Sequence, residues 1–166
     1  MEAGLRKGKK LSRGFKVIEN PYTILLILIS ICFTGGLYQG MLMPLLSLLI
    51  EAQGISASMN GLNAASLYIG ILAAAPFLEK LLYKTGFKPI LITGCLILAF
   101  QLSMFIVTEN FTIWLILRFS MGMVNHAVYY AILTWLGLIA PDNKRGRFLS
   151  YFGFAFGIGF ALGPLL

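Results

Sequence analysis

The charged residues of this chain fall in short clusters between long apolar runs, and that arrangement leaves few folds open. A run of about 20 apolar residues crosses a hydrocarbon core of about 30 Å as a helix. Only 11% of the residues are charged and 58% are hydrophobic, whereas a soluble domain carries about 25% charged residues. A soluble helix also shows a polar face, and these runs mostly do not. The pattern predicts an all-α, polytopic bundle of transmembrane helices.

The formal net charge of +7 would suit nucleic acid or an anionic surface, but its placement says otherwise. Arg6, Lys7, Lys9, Lys10, Arg13 and Lys16 precede the first apolar run. Lys80, Lys84 and Lys88 occupy the second junction, and Lys144, Arg145 and Arg147 the fourth. The first and third junctions hold no Lys or Arg. Basic residues concentrate on the cytoplasmic side of membrane proteins. The N-terminus is therefore expected in the cytoplasm of a multi-pass cell-membrane protein, with the bilayer as its partner and no nucleic acid.

Residues 1–20 read as a basic cytoplasmic tail, and 21–166 as the membrane bundle. Helices are expected at about 21–50, 61–82, 89–107, 111–139 and 148–166. Pro21 suits a helix start. The first run exceeds the bilayer, so it should tilt, bend or project, most cheaply at Gly35, Gly36, Gly40 and Pro44. In the outer loop "EAQGISASMN" the serines and Asn60 are candidate caps for the second helix. Cys32 and Cys95 lie in apolar segments and read as small packing residues, without the spacing of a metal site or a disulfide framework. No cofactor is implied, no nucleophile–base set or phosphate loop is present, and no internal repeat is visible. The chain does not read as an enzyme.

Arg118 is the outlier. It lies inside the fourth apolar run, where an arginine costs at least a few kcal/mol unless it is paired or hydrated. At about 100° per residue, Gly122, Asn125 and Tyr129 share its face within about 40°. A charge, a gap, an amide and a phenol on one helical face resemble the wall of a polar pathway. The alternative is helix–helix glue, with Arg118 on neighbouring carbonyls and Asn125 in an interhelical hydrogen bond. His126, at the edge of this stripe, is either a proton relay or a hydrogen-bonded packing residue. In the first helix Gln39 and Tyr38 beside it either face a cavity and contact substrate, or bond to the fifth helix or to the backbone loosened before Pro44. No Asp or Glu lies deep in any apolar run. In the fifth, Gly153/Gly157 and Gly159/Gly163 form two small-xxx-small pairs that let another backbone approach, and Gly163–Pro164 permits a kink.

Together these segments resemble the major facilitator superfamily of secondary transporters over roughly residues 20–166. "RFSMG", Arg118 to Gly122, is similar to the R-x-x-x-G core of the family's fourth-helix motif. "GFALGP", Gly159 to Pro164, looks like the start of the fifth-helix motif associated with antiporters, and "MLMPLL" resembles the end of the first helix in drug exporters. The inner loop "EKLLYKTGFK" departs from the usual G-x-L-x-D-R-x-G-R-K. Lys84, Gly86 and Lys88 match or nearly match, but Tyr83 replaces the aspartate. Glu79, one turn earlier, is then expected to supply the negative charge of the inner gate, with Arg145 or Arg147 as partner.

The resemblance implies five helices of an incomplete six-helix N-terminal half, whose C-terminal half is a missing partner. It implies alternating access by a secondary active transporter that exports a small organic solute with protons as coupling ion, and a five-helix piece that is not competent alone. Arg118, Asn125, Tyr129 and Gln39 would line the substrate pathway. Gly122, Gly159, Gly163 and Pro164 would pack and flex helices. Uptake of a sugar or other metabolite, and a non-transporting membrane scaffold or partner subunit, are the competing expectations.

Overall fold

The computed structural model describes residues 21–166, so the expected basic tail at 1–20 lies outside the described residues. Among the described residues the chain is helical and without strands. Helix α1 spans Pro21–Ala52, with Pro44 inside it. Its 32 residues measure roughly 48 Å at about 1.5 Å per residue, well beyond the hydrocarbon core. Leu25, Leu28, Cys32, Leu42, Leu46 and Ile50 form its buried stripe.

The second span is broken. Helix α2, Ala57–Ala74, tightens into a 3-10 turn at Ala75–Phe77 and continues as α3, Leu78–Thr85. Pro76 sits in that turn and has no N–H with which to continue the α-helical ladder. The N-cap of α2 is Ser56, but its side chain makes no capping bond. Asn60 lies inside the helix and accepts a hydrogen bond from Ser47 Oγ at 3.4 Å. The expected side-chain capping is thus replaced by a tie from the second span to α1.

Gly86 then turns the chain at φ +88°, a backbone region that favours glycine. Helix α4 covers Phe87–Val107 and α5 Phe111–Ile139. Between them Asn110 caps α5 by accepting from the N–H groups of Thr112 and Ile113. Trp114 Nε1 donates to the Thr108 carbonyl at 2.7 Å, and Gln53 Nε2 to the Glu109 carbonyl at 3.1 Å, which joins the α1–α2 and α4–α5 connections. A 3-10 turn at Asp142–Lys144 leads into α6, Arg145–Leu162, and a last 3-10 turn covers Gly163–Leu165. Five helical spans are long and apolar enough to cross a membrane.

The bundle is held by two close crossings. Helix α1 packs on α6, and α2 on α5, with α4 against α5. Gly36 and Gly40 press against the backbone of Phe156 and Phe160, while Gly159 and Gly163 press against that of Phe33 and Leu37. In the other crossing Gly70 meets the Phe119 carbonyl and Gly122 the Leu67 carbonyl. Apolar side chains gain little from leaving lipid for protein, so close backbone approach supplies the attraction. Only the second glycine pair of α6 works in this way. Gly153 and Gly157 have open space where a Cβ would stand, on an outward groove beside Phe154 and Ala161.

Candidate functional site

A cavity of about 340 Å³ lies between α1, α4 and α5. Tyr38 reaches it from α1, Asn125 and Tyr129 from α5, and Cys95 from α4. The rest of its wall is mainly apolar, including Ile31, Leu98, Leu102 and Val128. Asn125 and Tyr129 are four residues apart on one helix, so they stack on the same face. Tyr38 is brought to them only by the packing of the bundle.

The Tyr38 hydroxyl donates to Asn125 Oδ1. Asn125 is only 2% exposed, and its Nδ2 has no hydrogen-bond partner. The Tyr129 hydroxyl is likewise buried and lacks a partner at bonding geometry. The Tyr129 ring is clamped edge-on by Phe152 and Phe156, at centroid distances of 5.9 and 5.6 Å. Its hydroxyl lies over Gly35, where a Cβ would approach the oxygen to 2.6 Å. Glycine at 35 therefore makes room for the phenol.

Arg118 is 3% exposed, with Nε unpartnered. It does not line the cavity, but its charge is within electrostatic reach of Tyr38 and Tyr68. The shared face predicted for α5 thus divides by neighbour. Arg118, Asn125 and Tyr129 carry the polar groups, and Gly122 is consumed by the contact with α2 instead of leaving a gap in a pathway wall. Gln39 is half-buried, lies outside this cavity and forms no hydrogen bond among the described residues. Of the two residues offered for a cavity, Tyr38 and Gln39, the structure brings Tyr38 to this one. His126 is half-buried, away from the cavity.

Two buried amides went unremarked in the sequence. Gln101 on α4 donates through Nε2 to Ser120 Oγ at 2.8 Å, and Asn63 on α2 is buried with Nδ2 unpartnered. Their signal was an amide within an apolar run, the same signal that marked Asn125.

Around the α3–α4 connection, Glu79 and Lys84 are exposed and Lys88 is half-buried. Glu79 pairs with neither Arg145 nor Arg147 among the described residues; Arg145 Nη2 instead lies 3.2 Å from Asp142 Oδ1, three residues before it. The local partner is reached without ordering two separate junctions. Gly86 carries the positive φ described above. Gly163 is buried against α1 and opens the last 3-10 turn, with Pro164 exposed. Among the described residues no three His, Cys, Asp or Glu side chains group as a metal site.

Five apolar spans packed through glycine crossings, with Arg118 and several amides buried between them, define a multi-pass membrane protein. The chain belongs to the Major Facilitator Superfamily, whose profile matches residues 26–166. It is similar to the MFS-type transporter YfkF of Bacillus subtilis, at 41% identity over 145 residues, 87% of this chain and 36% of that protein. It also resembles multidrug resistance protein 2 of Bacillus subtilis, at 26% identity over 149 residues, 90% of this chain and 37% of that protein. A third relative is the quinolone resistance protein NorA of Staphylococcus aureus, at 26% identity over 125 residues, 75% of this chain and 32% of that protein. The chain spans about a third of the length of these relatives. The family is one of membrane transporters.

Proposed function

We propose that these helices are part of the N-terminal half of a secondary active transporter that exports a small organic solute across the cell membrane, driven by protons. The observation that carries the reading is the Tyr38–Asn125–Tyr129 cluster, uncharged, buried and partly unpartnered, beside Arg118 in a family of membrane transporters. Buried polar groups inside a membrane mark pathways more often than they build stability. Two relatives, a multidrug and a quinolone resistance protein, favour export over uptake. The alternation of basic junctions supports a cytoplasmic N-terminus.

In this reading Asn125 and Tyr129 contact solute, Arg118 sets the electrostatic field around them, and Gln39 borders the pathway outside the Tyr38 cavity. Gly159, Gly163 and Pro164 let α6 slide and bend against α1 while the transporter alternates. Lys84, Gly86 and Lys88 form the inner gate, with Glu79 as its acidic member. Alternating access needs a second bundle to rock against, so the activity belongs to the complete transporter. The test is solute efflux from cells making the full-length protein, with and without the protonophore that collapses the proton gradient. Efflux that persists after collapse removes the proton coupling, and efflux at the wild-type rate in Arg118→Ala removes the pathway role of Arg118.

A further inference from the structure

The cavity between α1, α4 and α5 has uneven hydrogen-bonding capacity. Asn125 Oδ1 already accepts from Tyr38. The hydroxyls of Ser30 and Thr34 donate to carbonyls of their own helix, at 2.9 and 3.0 Å. The donors without an acceptor at full bonding geometry are Asn125 Nδ2 and the Tyr129 hydroxyl, the latter standing beside the Tyr38 hydroxyl. Both belong to residues that line the cavity, and each is buried in the protein. A buried donor without a partner is costly, and a ligand acceptor would relieve that cost.

Charge narrows the ligand further. Among the described residues no Asp, Glu, Lys, Arg or His lines this cavity. A cation would find no carboxylate there and would stand near the charge of Arg118, which acts on Tyr38. An anion would gain the attraction of Arg118, but with no cation in the cavity wall itself it would exchange water for two neutral donors and an apolar lining. Either ion loses much of its hydration for little return. A volume of about 340 Å³ suits a ligand of modest size, because small-molecule sites begin at about 300 Å³.

We infer that this cavity takes an uncharged, largely aromatic molecule whose polar end is a hydrogen-bond acceptor, such as an aryl ketone, with its carbonyl held by Asn125 Nδ2 and the Tyr129 hydroxyl. The inference rests on the transport reading only in making the ligand a transported solute; binding is tested separately from flux.

The probe is benzophenone, an aryl ketone that inserts into nearby C–H bonds on illumination, applied to the full-length protein in lipid nanodiscs. Labelled peptides are mapped, and label is competed with four compounds of one ring system: 2-acetylnaphthalene, 2-ethylnaphthalene, 2-naphthoate and 2-naphthylmethylammonium. Concentrations are corrected for uptake by nanodiscs without protein. Label is expected on the α1, α4 and α5 segments, and 2-acetylnaphthalene should compete roughly five- to tenfold better than 2-ethylnaphthalene, the span of one net hydrogen bond. Asn125→Leu and Tyr129→Phe should each shrink that preference to about twofold or less while labelling persists. Equal competition by ketone and hydrocarbon overturns the proposal, as does best competition by either ion, or label confined to other helices. A ketone preference in a protein that moves no solute upholds the ligand class and removes the transport reading. Flux without a ketone preference does the reverse.

Discussion

The Tyr38 hydroxyl on α1 donates to the side-chain carbonyl of Asn125 on α5, and this bond crosses the middle of the bundle. It joins the two helices that also belong to the separate glycine crossings, α1 with α6 and α2 with α5. The polar cluster therefore sits where the two close-packed pairs meet.

Tyr38→Phe and Asn125→Leu should each lower thermal stability modestly, and the double variant should lose less than their sum. Interhelical hydrogen bonds in membrane proteins contribute about 0.6 kcal/mol on average by double-mutant cycles. A coupling of about 0.5–1 kcal/mol from unfolding in detergent is expected. A coupling of zero would show that the two side chains act independently.

Arg118 distinguishes a functional from a structural arginine. It is buried with Nε unpartnered, so an apolar side chain of similar reach should be better tolerated by the fold than the native one. Arg118→Met is expected to raise stability by about 1 kcal/mol or more and to abolish transport. Thermal unfolding and efflux, measured on the same preparation, check both halves. A fall in stability would instead identify Arg118 as glue between helices.

The glycines of α6 should divide into two classes. Gly159→Val places a branched side chain against the Phe33 carbonyl and should destabilise by about 3 kcal/mol or more through forced separation of α1 and α6. Gly157→Ala enters open space and should stay within about 0.5 kcal/mol of wild type, or gain slightly from helix propensity. Melting curves of the two variants that coincide would contradict the crossing.

Gly86→Ala should cost about 1–2 kcal/mol, because φ of +88° strains a side chain there. Gly146→Ala, in α6 with open space around it, is the comparison and should be close to neutral. Glu79→Gln should leave stability unchanged, since Glu79 is exposed and holds neither Arg145 nor Arg147.

Much of this molecule was legible along the chain, for a physical reason. A bilayer imposes length and apolarity one segment at a time, so each span announces itself locally. The α5 helix shows the same legibility: it was expected at about 111–139 and spans Phe111–Ile139. Arg118 and Asn125 stood out because polar side chains in such runs are few. The stacking of Asn125 and Tyr129 followed from helical spacing alone.

Other features depend on which helix lies beside which. Gly153 and Gly157 have the same spacing as Gly159 and Gly163, yet only the second pair touches another backbone among the described residues. Spacing defines a face but does not choose its neighbour. Gln39 and Tyr38 are adjacent, about 100° apart around α1, and the rotation of α1 against α5 selected the tyrosine. Glu79 was matched to Arg145 by charge, but Asp142 is only three residues away and takes that contact. By itself the sequence determined five apolar helices, their order and the polar residues within them, because lipid solvation acts on each segment separately. The tertiary structure alone decided that Tyr38 meets Asn125, that Gly122 closes on α2 and that two donors short of an acceptor share one cavity, because those outcomes depend on the rotation and close approach of helices distant in the chain.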